Sequence, residues 1–145
     1  MSFEVPADLS FNRGMIDDPE RFAQDAGAES WVYLCAPEFA DVPGGMSFDQ
    51  VEAAVPSSRQ IVADGPDFGP DTVAEVLAAI DELPRPTIVS CRAGPRSSAL
   101  VYLYAGRQAG ASADDVLAAA DADGAPFAGM EPLRELVRRG LTGSD

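Results

Sequence analysis

A chain of 145 residues with 46% hydrophobic and 8% aromatic side chains is long enough for one globular domain that buries about 70% of its unfolded surface. Its net charge of −14, with all ten basic residues arginine, argues against nucleic acid and anionic membrane surfaces, which select basic patches. The absence of histidine removes Ser-His-Asp catalysis, Cys-His catalysis and any histidine-bound metal together. No cofactor and no metal are expected.

The start Met1-Ser2-Phe3-Glu4-Val5-Pro6 has neither a basic region nor an apolar core, so no secretory leader is visible. The longest apolar runs, such as 99–105, fall far short of a bilayer span. Two cysteines are too few for a disulfide scaffold and agree with a reducing compartment. A cytoplasmic location follows. The oligomeric state is left open.

In chain order, residues 3–16 suggest one or two short edge strands, around Phe3-Glu4-Val5 and Leu9-Ser10-Phe11. Asp17-Asp18-Pro19-Glu20 predicts a helix start, with an acidic cap and a first-turn proline, and Gly27 predicts its end. Ser30–Cys35 has the β-branched and aromatic content of a buried strand. A Pro- and Gly-rich loop at 36–46 leads to a short helix over Ser47–Ala54, capped by Ser47. Ile61–Ala63 reads as a brief strand, and 64–70 as a second loop. Helical spacing of Val73, Val76, Leu77 and Ile80 predicts a helix over Asp71–Leu83, ended by Pro84. Thr87–Ser90 reads as a strand, and helices follow over Ser97–Ala109, Ser112–Ala122 and Met130–Arg139. Strands alternating with helices imply right-handed βαβ units and a mainly parallel sheet of about four to five strands in one α/β domain, 1–145.

The chemistry concentrates where the Thr87–Ser90 strand meets Cys91-Arg92-Ala93-Gly94-Pro95-Arg96-Ser97-Ser98. A strand that ends in a loop opening a helix points successive N–H groups at one spot, where the helix dipole favours negative charge. A cysteine in the mouth of such a cradle gives up its proton readily, and the thiolate is the nucleophilic form. Pro95 removes one backbone donor from the cradle, and Arg92, Ala93, Gly94, Arg96 and Ser97 retain theirs.

The pattern Cys-Arg-x-Gly-x-Arg-Ser at Cys91–Ser97 resembles the active-site loop of rhodanese-type sulfurtransferases. The tyrosine and dual-specificity phosphatase motif, His-Cys-x-x-Gly-x-x-Arg-Ser, is one residue longer, and Ser90 stands here in place of its histidine. A shorter loop makes a tighter cradle, which suits the outer sulfur of a persulfide better than a tetrahedral phosphate. From Leu9 to Leu136, the order of elements is similar to a family of small bacterial proteins that includes the phosphatase-like domain of beta-lactamase-hydrolase-like proteins. That resemblance implies a dual-specificity-phosphatase-like fold. Members of the family often carry an arginine before a proline after the second strand, where this chain has Ala36-Pro37.

The resulting expectation is a sulfurtransferase that carries sulfane sulfur as a persulfide on Cys91, taken from thiosulfate or a low-molecular-weight persulfide and passed to an acceptor. The alternative is a cysteine phosphatase acting on a phosphorylated substrate through phosphocysteine, and a second is a non-catalytic anion-binding module. Arg96 would grip the anion in bidentate fashion, with Arg92, Ala93, Gly94 and Ser97 completing the binding set. Ser97 either contacts the sulfur or only caps the following helix. In phosphatases of similar architecture the loop corresponding to 64–68 supplies the general acid, which makes Asp64 the candidate; Asp67 and Asp71 compete, Asp71 looking more like a helix cap. Cys35 ends a neighbouring strand, where it either resolves an oxidised Cys91 or is a buried strand residue.

Overall fold

The computed structural model describes residues 3–63 and 68–142. At its centre is strand β4 (Thr87–Ser90), a β-branched run buried at all four positions and flanked on both sides by parallel partners, β1 (Leu9–Phe11) and β2 (Ser30–Tyr33). Strand β3 (Ser58–Gln60) adds to the far side of β2, giving a four-stranded, all-parallel sheet in the order β1-β4-β2-β3. Strands buried on both faces read as continuous apolar runs rather than alternating ones, as β4 and β2 do.

Alternation along those two strands divides the core. Trp31, Tyr33 and Ile88 face one layer, covered by α1 (Pro19–Ala26) and α2 (Phe48–Ala54). Val32, Leu34 and Val89 face the other, covered by α3 (Pro70–Glu82), α4 (Pro95–Ala109), α5 (Ala113–Asp123) and α6 (Glu131–Leu141). Helix α4 lies among α3, α5, α6 and the sheet, and every residue from Ser97 to Gly106 is buried. A helix apolar on most sides belongs in such a position.

The helix ends follow from local chemistry. The Asp18 carboxylate accepts the Arg21 N–H at 3.2 Å, and Gly27 closes α1 at φ 61°. Ser47 and Gln50 form a reciprocal capping box on α2. Ser112 caps α5 through the Asp115 N–H at 3.1 Å.

Three expectations shift. Phe3–Val5 forms no strand; Phe3 is buried instead, its ring 6.3 Å from that of Tyr102, because apolar burial rather than backbone pairing holds this segment. The third strand lies at Ser58–Gln60 and not at Ile61–Ala63. It is an edge strand paired through its backbone, which polar side chains allow, while Ile61 and Ala63 still donate to Tyr33 and Leu34 carbonyls at 3.0 and 2.9 Å. Helix α4 starts at Pro95, two residues before Ser97, since proline is pre-shaped for the first helical position. Among the described residues no helix is long and apolar enough to cross a membrane.

Candidate active site

Strand β4 delivers Cys91 to the carboxyl edge of the sheet, where open parallel sheets place their sites. The side chain is 6% exposed. Its Sγ accepts the Gly94 N–H at 3.2 Å and the Ser97 N–H at 3.4 Å, and Ser97 Oγ lies 3.4 Å away. The sulfur therefore sits over the amino end of α4 with two backbone donors directed at it. Pro95 occupies the first helical position, where an N–H has no intrahelical partner in any case. The donors missing at Pro95 are supplied by Gly94 and Ser97 on either side.

Gly94 makes this loop possible. Its φ is 113°, and a Cβ there would stand 2.2 Å from the Asn12 carbonyl oxygen and 3.0 Å from Pro126 Cγ. Both the backbone conformation and the close approach demand glycine.

Ser97 does not cap α4, whose cap residue is Gly94 without a side-chain bond. Its hydroxyl is buried among three acceptors instead, Asn12 Oδ1 at 3.0 Å, Gly94 O at 3.1 Å and Cys91 Sγ at 3.4 Å. One hydroxyl proton serves one of these at a time. Arg92 and Ala93 are exposed on the loop, and Arg96 is half-buried in the first turn of α4. The Arg92 guanidinium lies over the Phe39 ring at 5.0 Å and that of Arg96 over the Phe68 ring at 5.7 Å. Aromatic faces of this kind orient a guanidinium without neutralising it.

The other candidates fall elsewhere. Asp64 and Asp67 lie outside the described residues. Asp71 sits in the first turn of α3 and complements its dipole, but the cap residue is Gly69. Cys35 is fully buried beside Trp31 and Tyr33, whereas Cys91 belongs to the cluster on the opposite side of the sheet. That arrangement separates the two thiols rather than pairing them. Ser90, in the place of the phosphatase histidine, is buried and accepts the Trp31 indole N–H at 2.8 Å.

Asn12 escaped the sequence reading. It is 1% exposed, and its Oδ1 accepts the Cys91 N–H at 3.2 Å while its Nδ2 donates to Cys91 O and Gly14 O, both at 2.9 Å. The available signal was its place as the first residue after β1, on the carboxyl edge of a strand beside β4. A cavity of about 250 Å³ borders Asn12, Gly14 and the start of α1 without touching Cys91. The donors around the sulfur define the site.

No protein-family model matches the sequence, and no curated protein matches it. Solved structures do. A candidate phosphatase from Neisseria meningitidis superposes with a TM-score of 0.69 at 20% identity, over 95% of this chain and 96% of its own. A variant form of Tk-PTP gives 0.70 at 18% identity, over 96% and 93%. The catalytic core of the PP-IP phosphatase SIW14 from S. cerevisiae gives 0.61 at 14% identity, over 100% and 88%. The fold is thus the α/β fold of dual-specificity and tyrosine-phosphatase-like proteins.

The sulfurtransferase expectation is corrected by this finding, because the structures that share the fold across nearly the whole chain are phosphatases. The expectation rested on a loop one residue short. In the folded chain that length does not measure the cradle, since α4 begins inside the motif at Pro95 and its first turn supplies the Ser97 donor.

Proposed function

We propose that this protein is a cysteine-dependent phosphatase, a reading supported best by the Cys91 sulfur held under the Gly94 and Ser97 N–H groups at the amino end of α4, within a phosphatase-like fold. Cys91 attacks the phosphorus of a phosphate ester as the thiolate. The S–P bond forms as the bond to the leaving oxygen breaks. Loop amides of Arg92, Ala93, Gly94 and Ser97, with the Arg96 guanidinium, hold the phosphoryl oxygens as charge shifts among them. Asp64 is the proposed acid that protonates the leaving oxygen. Water then attacks the phosphocysteine, inorganic phosphate leaves, and the Ser97 hydroxyl donates to the departing sulfur.

A surface of net charge −14 repels polyanions. The proposed substrates are accordingly alkyl or aryl phosphomonoesters of low charge rather than highly phosphorylated small molecules. Steady-state turnover of p-nitrophenyl phosphate and phosphotyrosine tests the reading, with intact mass after acid quench as its second arm. Wild type is expected to turn over and to gain one phosphoryl group on Cys91. Cys91→Ser should lose turnover entirely, and Asp64→Asn should slow phosphotyrosine more than the better leaving group. Absence of turnover across a panel of phosphomonoesters would overturn the proposal.

A further inference from the structure

A loop can present its N–H groups to an anion only if its carbonyls turn away and find partners elsewhere. Here one short segment collects three successive carbonyls of the cysteine loop. Asn12 Nδ2 gives one N–H to Cys91 O at 2.9 Å, shared with the more distant Arg92 O at 3.4 Å, and the other to Gly14 O at 2.9 Å, while the Gly14 N–H donates to Ala93 O at 2.8 Å. The same Asn12 side chain reaches the inside of the loop through Oδ1, which accepts the Cys91 N–H at 3.2 Å and lies 3.0 Å from Ser97 Oγ. Helix α4 contributes no side-chain cap of its own. The shape of the cradle is therefore imposed from another part of the chain.

We infer that Asn12 is a positioning residue for the anion site: it acts through the Cys91–Ala93 backbone and the Ser97 hydroxyl to keep the loop amides turned toward the anion. Asn12 touches no substrate in this scheme. An amide side chain is required because the position must donate to two carbonyls and accept from an N–H at once. Aspartate has the same shape but offers only acceptors when ionised, which sets its charge against the Cys91 and Gly14 carbonyls. Alanine removes both functions.

The inference rests on the phosphatase reading only in its kinetic arm. The test compares wild type, Asn12→Asp and Asn12→Ala in two measurements. One is the protection of Cys91 from iodoacetamide by inorganic phosphate, read by peptide mass. The other is the kcat and KM for p-nitrophenyl phosphate. Thermal unfolding of each variant runs alongside. Both variants should lose phosphate protection, and kcat should fall about 100-fold, the scale of an ångström-level misplacement. Asn12→Asp should remain folded because its size and acceptors are retained. If wild type hydrolyses no ester but phosphate protects Cys91, and the variants lose that protection, the inference stands while the phosphatase reading fails. Variants that unfold at lower temperature yet keep protection and kcat would show a purely structural role and overturn it. Failure of phosphate to protect wild type, or failure of both variants to fold, overturns it as well.

Discussion

At position 94 two constraints coincide, a φ of 113° and a main-chain oxygen 2.2 Å from where a Cβ would lie. Gly94→Ala should therefore displace the loop that carries the Cys91 donors. A non-glycine residue in that conformation costs about 1–3 kcal/mol, and the steric conflict adds to it. The expected outcome is a lower urea midpoint together with loss of phosphate protection at Cys91; a variant with wild-type protection would mean that the Gly94 N–H does not shape the cradle. Single residues also mark the limit of what the sequence discloses here. Cys91, Gly94 and Ser97 were legible because they adjoin in one motif whose strand-loop-helix context gives them meaning. Asn12 was not, because its bonds to Cys91 span 79 residues and nothing local to Phe11-Asn12-Arg13 announces them. Ser97 was half legible: its neighbours in sequence allowed a cap, and only the fold brings Asn12 Oδ1 to its hydroxyl.

At the level of elements, helix boundaries were the most readable feature, since Asp18, Ser47 and Ser112 bond to N–H groups three residues ahead. The third strand was least readable, because an edge strand of Ser58-Arg59-Gln60 is defined by its neighbour rather than by its own side chains. The joint between α4 and α5 permits a prediction on pH. The Tyr102 hydroxyl donates to Asp123 Oδ2 at 2.6 Å, and burial first, then this bond and the carboxylate charge, hold the phenol well above its ordinary value of 10.0. A phenol raised in the folded state contributes stability that is complete below the unfolded value and is lost as pH climbs through the folded one. Wild type should consequently lose stability above about pH 10, where the unfolded phenol ionises. Tyr102→Phe should be about 1.5–3 kcal/mol less stable at pH 8, the scale of a hydrogen bond to a charged group, and should decline less steeply on the alkaline side. Urea unfolding between neutral and alkaline pH distinguishes this from parallel curves, which would deny the bond its role.

For the whole molecule, 24 acidic residues against ten arginines set up a repulsive field that salt shortens from about 30 Å at 0.01 M to about 3 Å at 1 M. Raising sodium chloride across that range should increase the urea midpoint and raise kcat/KM for phosphotyrosine, as the anionic substrate meets less repulsion. A flat response in both would place the acidic residues too far from the site and from one another to matter. The α/β class and parallel sheet were visible in the alternation of strands and helices; the β1-β4-β2-β3 order was not, because β2 and β4 are buried alike at all four positions and order is set by which backbones pair across long stretches of sequence. The interlock of Gly94 with Asn12 also bears on how such a chain can change through descent. The obstacle facing a side chain at position 94 is the main-chain oxygen of residue 12, which all twenty amino acids carry. No second substitution at position 12 restores room for a first one at 94, so mutational paths through an altered residue 94 have no local repair, and neutral drift is closed there while it stays open on the surrounding surface.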